Sequence, residues 1–363
     1  MNSVAGSPQV FRVAWSTGGV VAVNEPGPDV RIQAGMGGPS VHEFRTTNHE
    51  NLFADLWALG LPTLGASFAH SPDQVQGLRP PDFLAMSRDG KRWLCTEIRQ
   101  RWREVAVAAG RANLMRLFDV ASRVASGITY SELRLSDLLN AYSVQLRSHL
   151  HNAKPKDYQA FKDLNSPAVY RAISALFWEL AVLRDSLAEF ASAFCFSRLD
   201  IRSMSGLRRF LNRTQRADQV AEQVLQITDP AVPGWVAVFS SYRDLFTHLA
   251  PMEQATGAGF AVQDLRAGPN GSPIPQIYYP LPSEVQELNR LRSKGVLFNT
   301  MDELATASSR RHDRTTEPDA LEYLHACTDR FALLAAALIA RSPVPPTPIR
   351  IGPEDLRGPI RVE

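Results

Sequence analysis

SPAVYRAISALFWELAVLRDSLAEFASAF, residues 166–194, carries the clearest periodicity in the chain. Val169, Ile173, Leu176, Leu180, Leu183, Leu187, Phe190 and Phe194 recur at threes and fours, which is the stripe of a long amphipathic helix. Ser166 followed by Pro167 is the cap and first-turn proline that open such a helix. Three further helical patterns follow, at about residues 203–227, 234–249 and 318–341. Together they predict a bundle of four main helices. A Gly/Pro-rich stretch with strand-like pieces, GFAVQDL and PQIYYPL, interrupts them as an insertion at 252–316.

Working back towards the N-terminus, the pattern changes. Residues 1–40 alternate apolar and polar in short pieces broken by Gly and Pro, which predicts a few strands with turns. VHEFRTTNHENLFADLWALGL reads as helical up to Gly60 and Pro62. DFLAMS and RWLCTEIRQ flank SRDGKR, where Asp89-Gly90 is a hairpin signal. Helices are expected from about Arg103 to Ser126 and again from a Ser131 cap. HNAKPKDYQAFKDLNSP, rich in lysine and proline, places a boundary near 155. The expected fold class is α+β: a mixed α/β domain over 1–155, a helical bundle over 156–342 and a proline-rich tail over 343–363.

The chain has 363 residues, 44% hydrophobic and 21% charged, with a formal charge of +2. That balance argues against a strongly basic, non-specific nucleic-acid binder. Its few lysines are Lys91, Lys154, Lys156, Lys162 and Lys294; the remaining basic residues are arginine, which suits paired hydrogen bonding to phosphate and also accompanies a GC-rich genome. Cys95, Cys195 and Cys327 are too scattered for a disulfide framework or zinc site. The opening MNSVAGSPQVFRVAW lacks a basic region followed by an apolar core, and the longest apolar run, Phe331 to Ala340, is too short for a bilayer. The expectation is a cytoplasmic protein with no membrane partner.

FSSYRDLFTHLAP, residues 239–251, holds the main chemical constellation. Trp235, Val238, Phe239, Tyr242, Leu245, Phe246 and Leu249 form an apolar face, while Asp244 and His248, four apart, share one side. Asp244 can then accept a hydrogen bond from one ring nitrogen of His248 and fix the tautomer at the other. Pro251 ends the helix, so His248 lies in its last turn, where the negative pole favours imidazolium. Arg243, five residues before His248, falls about 140° around an α-helix. A straight helix does not aim both at one small target, so the spacing hints at a site shared between protomers. The plain alternative is a solvated helix edge.

Arg-Asp-x-x-x-His at 243–248, on the third helix of a bundle, resembles the signature of HEPN domains. The resemblance covers residues 166 to about 341, with 252–316 as an insertion that the minimal pattern lacks. It implies a metal-independent endoribonuclease acting on single-stranded RNA, a homodimer, and a toxin–antitoxin or antiviral defence setting with an antitoxin or other partner protein. It also implies that Arg243 stabilises the scissile phosphate and His248 moves the proton, with Asp244 at the variable polar position.

PPDFLAMSRDGKRWLCTEIRQ, residues 80–100, is the second constellation. Asp82 opens one predicted strand, and Glu97 and Arg99, two apart on the returning strand, share a face. This stretch resembles restriction-endonuclease-like nucleases, whose carboxylates hold Mg²⁺; Glu43 or Glu50 matches their helix-borne acid. Arg99 stands where that family has lysine, and arginine keeps its proton at any workable pH. The readings this leaves are a Mg²⁺-dependent DNA nuclease at Asp82 and Glu97, a degenerate binding copy, and an ordinary exposed hairpin. A non-catalytic helical binding or oligomerisation protein is a further alternative for the whole chain.

Of the other candidates, Arg310, Arg311 and Arg314 form a basic cluster suited to RNA phosphates or to a solvated loop. Tyr278 and Tyr279 offer stacking surface or the centre of a strand. His149 and His151 are expected at a solvated helix end, and His42 and His49, seven apart, on one helix face.

Overall fold

The computed structural model describes residues 11–348, apart from 26, 76–77, 153, 155, 216–217, 233, 250–259, 269–270, 296–297, 299 and 310–313. The architecture is α+β. A six-stranded antiparallel sheet comprises β1 (Phe11–Ser16), β2 (Val21–Asn24), β3 (Asp29–Gln33), β4 (Ser40–Arg45), β5 (Thr63–Ala69) and β6 (Asp82–Ala85), in the order β4-β3-β2-β1-β5-β6. The first four strands form a meander, and β5 returns to pair with the free edge of β1. Alternation sorts its residues: Ala14, Ala22, Val30 and Ile32 enter the main core, whereas Val13, Val21 and Val23 form a small cluster with Trp15 and Met36.

Helix α1 (His49–Ala58) precedes β5, and the short α2 (Pro72–Val75) follows it. The stretch expected to be one helix from Val41 is thus part strand, part helix. Asn48 supplies the reason for the break: its side chain accepts the Asn51 N–H and caps α1. After β6, a turn through Asp89-Gly90 closes with Leu94 N–H to Ala85 O, 2.9 Å. The return arm, however, amounts to a single bridge, Met86 to Trp93, before α3 (Thr96–Arg111) begins. The strand expected through Glu97 and Arg99 is therefore helix.

The longest element is α4 (Met115–Asn152), 38 residues. Ser131, expected to cap a separate helix, lies buried within it. Gly127, also within α4, faces Leu183 so closely that an added Cβ would stand 3.3 Å from that side chain. The neighbour is α5 (Ser166–Phe190), the predicted stripe, which continues into a π turn, Ala191–Cys195. The expected boundary near 155 falls between these two packed helices, and the buried apolar residues on either side belong to one continuous core.

The pattern at 203–227 is two helices, α6 (Met204–Thr214) and α7 (Gln219–Ile227), separated at Gln215, whose φ is 44°. Next come α8 (Trp235–Asp244), β8 (Ala261–Ala267), β9 (Pro273–Tyr278), α9 (Val285–Ser293), α10 (Met301–Ser309) and α11 (Ala320–Ile339). The strands β8 and β9 join a short β7 (Gln159–Phe161) in a second antiparallel sheet. This sheet rests against the first half of the chain. Gly18 and Gly19, at φ of 64° and 83°, turn β1 into β2 so tightly that a Cβ would meet Gln276 at 2.5 Å and the Tyr142 carbonyl at 2.6 Å respectively.

Trp102 shows how the helices are tied. It is fully buried, sits edge-on to Phe190 at 4.7 Å, and donates its indole N–H to Ala335 O at 3.2 Å. One side chain thus joins α3, α5 and α11. Among the described residues, no helix is long and apolar enough to cross a membrane.

Candidate functional site

Helix α8 is held by its apolar face. Phe239 lies 5.6 Å from Phe177 of α5 and 5.2 Å from Phe331 of α11, while the Tyr242 hydroxyl donates to Pro282 O at 2.7 Å. Beyond Asp244 the helix opens into a π turn, Leu245–Leu249, with Leu245 and Phe246 still buried. Phe246 lies 5.5 Å from Phe177, so the aromatic packing continues through the wider turn.

That turn changes the expected geometry. An i→i+5 repeat sets residues five apart nearly one above the other, where an α-helix would splay them. Arg243 and His248 consequently meet within one chain: Nη1 of Arg243 is 3.0 Å from Nε2 of His248. A guanidinium can only donate, so Nε2 of His248 is the acceptor in this contact. The geometric ground for a site shared between protomers is removed by this contact. Asp244 does not take the predicted hydrogen bond from His248; its carboxylate lies 3.0 Å from Nη2 of Arg243 instead. The arginine side chain is 20% exposed and Asp244 47%, with His248 exposed beyond them. Nε of Arg243 is buried and has no hydrogen-bond partner among the described residues.

On the other side of Arg243 a cleft of roughly 300 Å³ runs between α5, α6 and α8. Arg184, Arg208, Arg243, Ser205 and Ser240 line it, together with Asp244 and Gln286. Arg184 is buried and held on both sides. Its Nε and Nη2 each donate to Asp185 at 3.0 Å, and its Nη1 donates to the Ser240 hydroxyl at 2.9 Å. Asp185 in turn accepts the Met204 N–H at 3.1 Å, fixing the start of α6. Neither Arg184 nor Arg208 stood out from spacing or periodicity. A signal was present, since no acidic residue occurs from Ile201 to Ala217, where Arg202, Arg208, Arg209, Arg213 and Arg216 all fall.

The structure does not place the second constellation on the expected hairpin. Asp82 is exposed at the start of β6, opposite Phe68. Glu97 is exposed in the first turn of α3, and residues two apart on a helix face different ways, so Glu97 and Arg99 share no face. Arg99 donates to Glu132 at 2.8 Å. Glu132, buried in α4, also accepts the Ala85 N–H at 2.9 Å. Burial raises its pKa, against the opposing pull of that N–H and of Arg99. This pair pins β6 and α3 to α4, a structural task. Glu43 lies on β4, not on a helix; Glu50 lies in the first turn of α1.

Arg310 and Arg311 lie outside the described residues. Arg314 is spent internally: it pairs with Asp264, lies 3.7 Å from Glu322 and stands 4.8 Å above the Tyr278 ring. Tyr278, the last residue of β9, and Tyr279 just after it are both buried, at 1% exposure, so they belong to the core and offer no face to a base. His149 is also buried, 2.7 Å from Gln263 and stacked on Phe161, whereas His151 is exposed. His42 lies on β4 and His49 opens α1, so they share no helix. Among the described residues, no group of three or more His, Cys, Asp or Glu is arranged to hold a metal ion.

No family model, curated protein or solved structure matches the chain. Function must therefore be argued from the site itself.

Proposed function

We propose that the protein is a metal-independent endoribonuclease that cuts single-stranded RNA at the edge formed by α8 and its π turn. The contact that carries this reading is the 3.0 Å approach of the Arg243 guanidinium to the His248 imidazole on an accessible surface. RNA cleavage by internal transfer needs three things: a base for the 2′-hydroxyl, an acid for the leaving 5′-oxygen, and positive charge for the phosphorane. The nucleophile belongs to the substrate, so no metal-bound water is required.

In the resting site Arg243 occupies the Nε2 lone pair of His248. A phosphodiester arriving beside Arg243 competes for the same guanidinium, because arginine binds phosphate oxygens through paired N–H bonds. Once Nη1 turns to the phosphate, Nε2 is free to take the 2′-hydroxyl proton. The 2′-oxygen then attacks phosphorus, and the imidazolium of His248 returns the proton it has taken to the departing 5′-oxygen, leaving a 2′,3′-cyclic phosphate and a 5′-hydroxyl. Asp244 keeps Nη2 in place during the exchange. The unpartnered Nε supplies a further donor as the side chain shifts.

The resemblance of residues 243–248 to the HEPN signature supports the same chemistry. The toxin or defence setting, a restraining partner and a homodimer follow from that resemblance alone. In this reading the guanidinium and imidazole come together without a second subunit. Purified protein incubated with RNA in EDTA tests the proposal. Cutting should persist in chelator, yield cyclic-phosphate ends and vanish in His248→Ala. Cutting that requires a divalent metal and ignores His248 would overturn it.

A further inference from the structure

The cleft beside Arg243 has a charge pattern of its own. Arg184 is matched by Asp185, and Arg243 by Asp244. Arg208, from α6, makes no ion pair or hydrogen bond with any described residue, although it lines the same cleft. Three guanidinium groups thus face two carboxylates, leaving one positive charge uncompensated. The hydroxyl of Ser240 is already anchored, donating to Val236 O at 2.7 Å while accepting from Arg184. Ser205, one turn before Arg208 on α6, adds a hydroxyl on the same wall.

Helix α6 extends this charge outward. Its span contains Arg208, Arg209 and Arg213, with Arg202 just before it, and no carboxylate to offset them. The flanking acids are engaged elsewhere: Asp200 with Arg198, and Asp218 with Arg341. In a chain of formal charge +2, such a run is a local concentration of positive field. Arg209 and Arg213 are exposed, four residues apart on one side of the helix, so the run is open to solvent.

We infer that the cleft between α5, α6 and α8 is a phosphodiester-binding subsite, and that α6 guides the backbone of single-stranded RNA into it. A phosphodiester carries one negative charge and would balance the one unpaired guanidinium. Arg208 supplies an unpaired fork, and Arg184, held by Asp185 and Ser240, a fixed wall beside it. Substrate would therefore run along α6, place one phosphate against Arg208, and set a neighbouring linkage at Arg243 and His248. This inference rests on the ribonuclease reading for the identity of the polymer, but the subsite itself depends only on the arginine cleft.

The test is equilibrium binding of a short 2′-O-methyl RNA, which lacks the nucleophile and cannot be cut, to the full chain across a salt series. Arg208→Gln should weaken binding about tenfold, the loss of one charge-assisted contact. It should also lower the slope of log K against log salt by roughly 0.7. Arg103→Gln, which removes the same charge from an exposed position on α3, should change affinity less than twofold. Equal weakening by Arg208→Gln and Arg103→Gln, or no weakening by Arg208→Gln, would overturn the inference. If the protein cuts no RNA yet shows the Arg208-specific loss, the subsite stands and the ribonuclease reading falls.

Discussion

Asp319 offers a prediction whose size can be worked from its surroundings. It caps α11 from a buried position and accepts the Glu322 N–H at 3.3 Å, the Tyr279 N–H at 2.8 Å and the Tyr142 hydroxyl at 2.9 Å. These three donors favour the carboxylate. Burial opposes them and prevails, with the nearby Glu322 charge adding to it, so the group's pKa rises from 3.8 to about 7. In the unfolded chain the carboxyl ionises near its ordinary value, so between pH 4 and pH 7 the folded state holds the extra proton. Asp319 therefore contributes stability that is complete below the unfolded value and is lost as pH rises through the folded one. The full span corresponds to about 4 kcal/mol, of which about 3 kcal/mol falls between pH 5 and pH 8.

Asp319→Asn removes the titration while keeping an oxygen for Tyr279 and Tyr142. Its amide would sit where the second oxygen faces the Glu322 N–H, at a cost of about 1 kcal/mol for the weakened cap. Urea unfolding at pH 5 and pH 8 reads the difference, with the slope m checked for constancy. Other groups titrate in both proteins and cancel in the comparison. The unaltered chain should lose about 3 kcal/mol more than Asp319→Asn over that interval. Parallel pH profiles would refute the reasoning, because they would mean that the three donors, not burial, govern the group.

Three shorter predictions accompany it. Arg243→Lys keeps the charge but not the fork that spans Asp244 and His248, so RNA cutting should fall by about a hundredfold or more in a single-turnover assay. Arg99→Met leaves Glu132 buried with only the Ala85 N–H for company; unfolding at pH 7 should show a loss of about 3 kcal/mol. Burial pushes the Cys95 thiol far up, that of Cys327 to about 12 and that of Cys195 to about 11. Native protein at pH 8 should thus react slowly with iodoacetamide and the urea-unfolded chain quickly at all three; fast labelling of Cys95 in the native state would contradict the packing.

Legibility in the sequence followed the length and one-sidedness of each pattern. The stripe from Val169 to Phe190 is the buried face of α5, and the strand-like pieces around 261–267 and 273–278 are β8 and β9. Short apolar runs were ambiguous, as their physics requires. VHEFR suits either period, and the capping side chain of Asn48, not hydrophobicity, sets where α1 starts. RWLCTEIRQ resembles a strand over its first half, but the chain makes one bridge at Trp93 and then coils. In α4, Gly127 and Ser131 look like an end and a cap when read locally. Tertiary packing overrides that reading, since Gly127 is there to admit Leu183.

The candidate site was legible as a set of residue types and illegible as a shape. Tyr242, Leu245 and Phe246 keep the threes and fours of an α-helix, so the periodicity gives no warning of a wider turn at Leu245–Leu249. A π turn forgoes the regular i→i−4 bonds and is sustained only where packing compensates. Here Leu245 is fully buried and Phe246 packs at a tilt against Phe177 and stacks on Tyr242, which supplies that compensation on the inner face. The outer face receives the consequence. The same widening that seats Phe246 rotates His248 by most of a residue relative to an α-helix, from beside Asp244 to beside Arg243. A core requirement and a surface constellation are therefore set by one backbone feature. Any substitution that relaxes the turn to α geometry would part the guanidinium from the imidazole without touching either.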